Sequence, residues 1–376
     1  MTKYVVITAI PLLFAYTIFQ ERRLTWRLAT LLIPCAAVVL LEMTAHQLYG
    51  RTFSGGLSGV ANEPDFSSPF GFVTKNVIEG LSYVGASFVT VFLMAPLLHR
   101  NIDWVKILIG FQCVVVLSYG LEGRISDSCP REVPMIALKY RLQLVLAVCA
   151  GAYIIGLAIM DFYRSRDAQS LLLFLLVMGI FVFSAFLNWT ANVRSLLPML
   201  PAIAIIVVRQ FERVHRDLRT LRLAAYPLAL GALISMAVSW GDHVYANLGR
   251  DFVQRYARDP RFELEKTWFI GHWGFQYYME REGARAMDWD FLFDIESDIE
   301  HPQVGDTIIW WRAAYKMLPK AYPVDHAEKI EIPSSSWIAT MNHDARVGFY
   351  DSYTGPIPYY FGKTSPEEFW IIEVLE

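Results

Sequence analysis

Four cysteines in 376 residues leave little scope for covalent cross-linking. Cys35, Cys113 and Cys149 lie inside apolar stretches and only Cys129 falls in a polar loop, so neither a disulfide framework nor a metal-type spacing can be drawn. Charge is scarce as well. Only 18% of residues are Asp, Glu, Lys or Arg, the net charge is −3, and no Lys/Arg cluster accompanies aromatic residues in the polar part of the chain. That excludes the basic field of a nucleic-acid-binding protein. Nucleophile-elbow, HExxH, CxxC and phosphate-loop patterns are all missing, so the usual motifs of soluble enzymes give no lead.

What the chain has in quantity is apolar surface: 55% of residues are hydrophobic and the mean hydropathy is +0.34, too high for an ordinary soluble domain of this length. The apolar residues crowd into positions 1–240, and 241–376 is mixed and polar. Eight apolar runs stand out: Tyr4 to Phe19, Leu28 to Leu41, Gly80 to Leu98, Val105 to Tyr119, Leu142 to Met160, Ser170 to Leu187, Ser195 to Val208 and Leu223 to Trp240. Several are shorter than the roughly 20 residues that cross 30 Å of hydrocarbon, so tilt or polar flanks must supply the rest. The expected architecture is an α-helical polytopic membrane domain of about eight transmembrane helices (1–240) followed by a small α/β extracytoplasmic domain (241–376).

Arginine sets the orientation. Loops at Glu21 to Arg27, His99 to Lys106, Asp161 to Asp167 and Arg209 to Arg222 are Arg-bearing, and the loops at 42–79, 120–141 and 188–194 are longer or more balanced in charge. The first set is expected in the cytoplasm and the second, with 241–376, on the outer side of a plasma (inner) membrane. This leaves the N-terminus outside with only Met1 to Lys3 before the first helix, while a signal peptide fits poorly because no small-residue cleavage site follows.

Within 241–376 the expected elements are an amphipathic helix Tyr245 to Ala257, a strand Thr267 to Ile270, a helix Gly274 to Glu282 and a strand Thr307 to Trp311. Shorter strands are expected near Lys329 to Ile332, Trp337 to Met341 and Phe369 to Val374. Gly271-His272-Trp273-Gly274 joins a strand to a helix and fits a structural turn better than an anion site. The acidic run from Asp288 to Glu300 is interrupted by apolar residues and lacks the EF-hand glycine, so it reads as a solvated face rather than a calcium loop. Aromatic pairs such as Trp310-Trp311, Tyr359-Tyr360 and Tyr277-Tyr278 suit a β core more than sugar stacking.

Two places carry candidate chemistry. Glu42 and His46 lie four residues apart at the start of a 38-residue outer loop, on one helical face if the second span continues outward. Such a pair moves a proton or holds a divalent cation, the one candidate cofactor; as a bland alternative it caps the end of a span. The second place is the segment from Phe181 to Ala202, with Asn188, Asn192, Arg194, Pro198 and Pro201. An Arg at the outer membrane boundary reaches two oxygens of a phosphate, or else snorkels to lipid headgroups.

The segment 181–202 resembles one found in the GT-C membrane glycosyltransferases, in the branch of the protein O-mannosyltransferases and the lipid A aminoarabinose transferase, where an Arg at the outer end of a late helix precedes a Pro-x-x-Pro pair. A multi-span body followed by an outward α/β domain resembles the same group. The resemblance implies sugar transfer from a polyprenyl-phosphate donor at the outer face. Arg194, Asn188 and Asn192 would bind the donor phosphate, and a carboxylate, Glu42 with His46, would act as base. One departure stands out: no adjacent acidic pair occurs before residue 241, although these enzymes carry catalytic carboxylates in their first outer loop. The chain is therefore expected to match only the later part of a longer transferase, with a partner chain supplying the N-terminal helices. The alternative is a non-catalytic or truncated membrane subunit whose exterior domain binds a partner or glycan. Membrane lipids and a lipid-linked sugar are the expected ligands, and a transporter is disfavoured because no inverted repeat is visible.

Overall fold

The computed structural model describes residues 5–21, isolated positions between 33 and 47, and 69–99, 134–188, 190–215, 222–259, 263–287, 302–312, 327–335 and 337–375. The described chain divides into two units: Met1–Ile234 with Gly348–Pro358, and Ser235–Val347 with Tyr359–Glu376. The expected boundary at 240 kept 241–376 together, whereas this division assigns the eleven-residue stretch Gly348–Pro358 to the first unit.

The first unit is helical: α1 (Val5–Glu21), α2 (Pro69–Ser87), α3 (Val89–Leu93), α4 (Ala95–Leu98), α5 (Pro134–Ser165), α6 (Ala168–Val182), α7 (Val193–Leu196) and α8 (Leu200–Val214), with α9 (Ala225–Tyr256) starting in it. Among the described residues, three stretches are long and apolar enough to cross a membrane: Leu138–Ser165, Ala168–Leu187 and Val193–Val214. The expected count of eight is not supported. The run Gly80 to Leu98 is divided among α2, α3 and α4, with Pro96 in the first turn of α4, where proline's missing N–H is tolerated. Of the run Tyr4 to Phe19, the residues from Val5 on lie in a helix of 17 residues, and Val105 to Tyr119 and most of Leu28 to Leu41 lie outside the described residues.

Helices α2 and α5 cross at backbone contact. A Cβ on Gly85 would strike the carbonyl oxygen of Ala147, and one on Gly151 would strike that of Leu81. Small residues permit this approach, which dispersion rewards where lipid offers no hydrophobic drive. Tyr83, Val84, Ile154, Leu157, Val177, Ile180, Leu196, Met199, Ile203 and Ile206 form the buried core around the crossing.

One end of this unit gathers charge. Asp161 is 2% exposed and is approached by Arg213 Nη1 at 2.7 Å and Arg209 Nη1 at 3.4 Å, as a buried carboxylate requires. Gln210 Nε2 donates to the Leu98 carbonyl at 2.8 Å and Arg164 Nη1 donates to Gln210 Oε1 at 3.3 Å. The starts of three of the four arginine-bearing loops, at His99, Asp161 and Arg209, thus meet at the same end. The Asn188–Ser195 turn lies at the other ends of α6 and α8, because the chain traverses each helix once.

The second unit carries a five-stranded sheet. Its strands are β1 (Thr267–Ile270), β2 (Arg285–Ala286), β3 (Thr307–Trp311), β4 (Glu328–Ile332) and β7 (Glu367–Glu373), in the order β2-β1-β3-β7-β4. β1 pairs parallel to β2 and β3, while β7 runs antiparallel to β3 and β4. The parallel β1–β2 pair follows from the crossover through α10 (Trp273–Arg281). Side chains alternate across β3. Ile308 and Trp310 join Trp268, Ile270, Met287 and Ile372 in one cluster. Trp311 turns the other way, against Phe369 (ring centroids 5.2 Å apart) and Phe275 (5.4 Å). Phe252 of α9 stacks on Phe369 at 4.1 Å. Trp310, Trp311 and Tyr360 are buried, as core residues, and Tyr277 is exposed.

Two expectations change here. The helix Tyr245 to Ala257 is the second half of α9, which runs unbroken from Ala225 to Tyr256 through position 240. Lone Gly241 does not stop it, because one glycine costs only about 1 kcal/mol in a helix interior. The strand expected at Trp337 to Met341 shrinks to the two-residue β5 (Met341–Asn342) and a single bridge from Ala339 to Tyr360.

Candidate functional site

Glu42 and His46 lie outside the described residues, as do Cys129 and the acidic run 288–300. Among the described residues no group of three or more His, Cys, Asp or Glu is placed to hold a metal ion. The Gly271–Gly274 segment forms the turn between β1 and α10, and a Cβ on Gly274 would meet only the Tyr278 ring, at 3.9 Å. That backbone needs no glycine for an approaching anion.

The Arg194 region is described in detail. A π-helical turn, Phe183–Leu187, ends the α6 rod, and the Asn188 N–H closes it on the Phe183 carbonyl at 2.7 Å. Widened turns of this kind often mark functional positions. The following turn is closed by its own polar side chains. Asn188 Nδ2 donates to the Thr190 carbonyl at 2.6 Å and to Ser195 Oγ at 3.2 Å. Asn192 is the N-cap of α7: its Oδ1 accepts from Ser195 N at 2.8 Å and Ser195 Oγ at 2.9 Å. Both asparagines hold the turn rather than offer it free donors. Pro198 and Pro201 each occupy the first turn of a helical segment, a 3₁₀ turn (Leu197–Met199) and α8 respectively.

Arg194 differs from its neighbours. Its side chain is exposed and has no hydrogen-bond or ion-pair partner among the described residues. A fixed turn carrying an unneutralised guanidinium can accept an anion with little reorganisation.

Nothing local in the sequence marks what lies against that turn. The stretch Gly348–Pro358 is fastened to it within the first unit. Ser352 N donates to Thr190 Oγ1 at 2.7 Å, the two hydroxyls are 3.1 Å apart, and Ala191 N donates to Ser352 Oγ at 3.1 Å. Val193 N reaches the Phe349 carbonyl at 3.4 Å. Tyr83, fully buried, directs its hydroxyl at the carbonyls of Gly348 and Gly355. Within the stretch Gly348 N donates to Ile357 O at 2.9 Å, and Asp351 Oδ1 accepts from Thr354 N at 2.8 Å and Thr354 Oγ1 at 2.9 Å.

Comparison with protein-family models, curated proteins and solved structures finds no match. The reading of the site therefore rests on its own geometry.

A second polar cluster lies in the other unit. Asn342 Nδ2 donates to Glu367 Oε1 at 2.8 Å, and Glu367 is 4% exposed. Burial pushes the Glu367 carboxyl up to about 7, against the opposing hydrogen bond from Asn342. Its neighbour Glu368 behaves oppositely. Burial raises it too, but hydrogen bonds from Arg312 (2.7 Å) and Lys329 (3.0 Å) outweigh that and hold it below the usual range. Arg312 also lies 3.5 Å from Asp344. These charges neutralise one another, so the cluster braces the sheet edge.

Proposed function

We propose that this protein acts in glycosyl transfer at the outer face of a membrane, taking a sugar from a polyprenyl-phosphate donor. The observation that carries the reading is the exposed Arg194, without a partner among the described residues, on a self-braced turn at the end of two apolar helices. A guanidinium there can bind two phosphate oxygens in parallel and retain the charge that appears on the leaving group. A carboxylate acting as general base on the acceptor hydroxyl completes an inverting displacement. The proposal includes a multi-pass chain of about eight spans in a plasma membrane, with the arginine-bearing loops in the cytoplasm and 241–376 outside. The convergence of three such loops at the end remote from Arg194 supports that orientation.

The chemistry is tested by binding undecaprenyl phosphate, in lipid nanodiscs, to wild type and to Arg194→Ala. The loss of a charge-assisted bidentate contact is expected to weaken binding about 10- to 100-fold, from roughly 1.5–3 kcal/mol. Arg194→Lys should recover only part, because an ammonium has no planar fork. Equal affinity in all three proteins would remove the basis for the reading. Binding that depends on Arg194 without any sugar transfer would fit the non-catalytic subunit instead.

Orientation is tested separately. Single cysteines replacing Arg166 and Val304, in a background lacking the four native ones, should differ on intact cells: an impermeant maleimide labels position 304 and spares 166. The reverse pattern inverts the topology.

A further inference from the structure

We infer that Asp351, carried by the Gly348–Pro358 stretch, is the carboxylate that deprotonates the acceptor hydroxyl opposite Arg194. This deepens the reading above and depends on it. Four features of the first unit lead there.

Asp351 is placed by the fold beside the arginine turn. Its chain neighbour Ser352 makes the bonds to Thr190 and Ala191, four and three positions before Arg194. The stretch is rigid, since the hydroxyl of buried Tyr83 points at the carbonyls of Gly348 and Gly355, and Gly348 closes on Ile357. A loop closed on itself with its ends tied holds a side chain in one place. The carboxylate is itself oriented, because Thr354 N and Oγ1 both occupy Oδ1. Oδ2 has no protein partner among the described residues, and the group remains partly open to solvent.

The relation of the two charges is the decisive feature. Asp351 and Arg194 sit on adjoining, mutually bonded segments, yet neither is paired with the other or with any other charge among the described residues. Opposite charges on fixed neighbouring loops would normally neutralise each other. Left unpaired on segments bonded to each other, they supply the two charges that displacement of a phosphate requires, a base and an anion clamp.

The step balances without a further reactant. Asp351 Oδ2 takes the proton of the acceptor hydroxyl, whose oxygen forms a bond to the anomeric carbon. The bond from that carbon to the phosphate oxygen breaks, and its electron pair leaves on the polyprenyl phosphate, whose added negative charge Arg194 offsets. The protonated Asp351 then releases its proton to water.

The test uses the full chain in nanodiscs, supplied with undecaprenyl phosphate for binding and with a total membrane extract of lipid-linked sugars for transfer. Asp351→Asn preserves the acceptor for Thr354 and removes the base. It is expected to bind undecaprenyl phosphate within about twofold of wild type and to transfer at least about 100-fold more slowly, the usual contribution of a general base. Asp351→Glu should recover part of the rate. Transfer by Asp351→Asn within a few-fold of wild type overturns the assignment, as does loss of binding together with transfer, which would make Asp351 structural. Wild type that binds without transferring also overturns it. Wild type that neither binds nor transfers overturns the proposed function itself, and this inference with it.

Discussion

Gly151→Val is expected to abolish the folded state of the first unit, whereas Gly156→Val, five residues along the same helix, is expected to be nearly silent. At Gly151 the obstacle to a Cβ is backbone, the carbonyl group and Cα of Leu81. No rotamer relieves that, because the Cβ itself is the colliding atom and both helices would have to separate. At Gly156 a Cβ meets nothing within 4 Å. Overpacking of a core ordinarily costs about 1–3 kcal/mol, and parting two helices at their closest crossing should exceed that range. It would strip contacts from Tyr83 and Val84 at the same time, and with Tyr83 goes the anchor of the Gly348–Pro358 stretch. Gly85→Val should behave like Gly151→Val, since it faces the Ala147 carbonyl across the same crossing. Thermal unfolding and size-exclusion profiles in mild detergent distinguish the three variants. If Gly151→Val were as stable as Gly156→Val, the helices would not cross as described.

The contrast between the two glycines also marks how far the sequence could be read. Local signals were legible where a residue's immediate neighbours decide its state. Strands Thr267–Ile270 and Thr307–Trp311 fall where short β-branched and aromatic runs meet turn residues, and α10 lies within a residue of its expected bounds. Asn188, Asn192 and Arg194 were singled out together. Their division of labour was not legible, because Asn192 as an N-cap and Asn188 as a brace depend on Ser195 and Thr190 turning back towards them. The helix through position 240 is not legible, because a change of composition from apolar to polar reads like a change of element. A helix can carry both, apolar in one stretch and amphipathic in the next.

The fastening of Gly348–Pro358 had no local signal at all. Tyr83 and Gly348 are 265 residues apart, and Thr190 and Ser352 are 162 apart. A serine and a threonine in polar segments carry no periodicity that could pair them across such distances. Only the burial of Tyr83 hinted at a partner, since a tyrosine hydroxyl removed from water needs one. Burial is a property of the fold and cannot be counted in the sequence. For the same reason sequence points to Glu42, where loop length and helical spacing are visible, and not to Asp351.

The sheet unit should lose stability as pH rises, in contrast to a protein held by paired carboxylates. Glu367 is buried at the start of β7, and its carboxyl is pushed up to about 7 from an ordinary 4.5. The folded state therefore holds a proton that the unfolded chain releases between those values. Below about pH 4.5 both states are protonated and the contribution is fully present. As pH climbs towards 7 the unfolded chain ionises freely while the buried group resists, and stability falls with each proton the unfolded state gives up. Above 7 the loss is complete. From the separation of the two values the total is on the order of 3 kcal/mol. Glu367→Gln removes the ionisation while its amide oxygen can still accept from Asn342. The variant should therefore lack this loss between pH 5 and pH 8 and be more stable than wild type at the upper end. Glu368 works against the trend, since its carboxyl is held low by Arg312 and Lys329, but its stabilisation is lost only at acid pH, outside this window. Chemical unfolding of the full chain, followed through the tryptophans of β3 at several pH values, reads the difference directly. An identical pH slope in wild type and Glu367→Gln would mean that Glu367 is not the group that titrates.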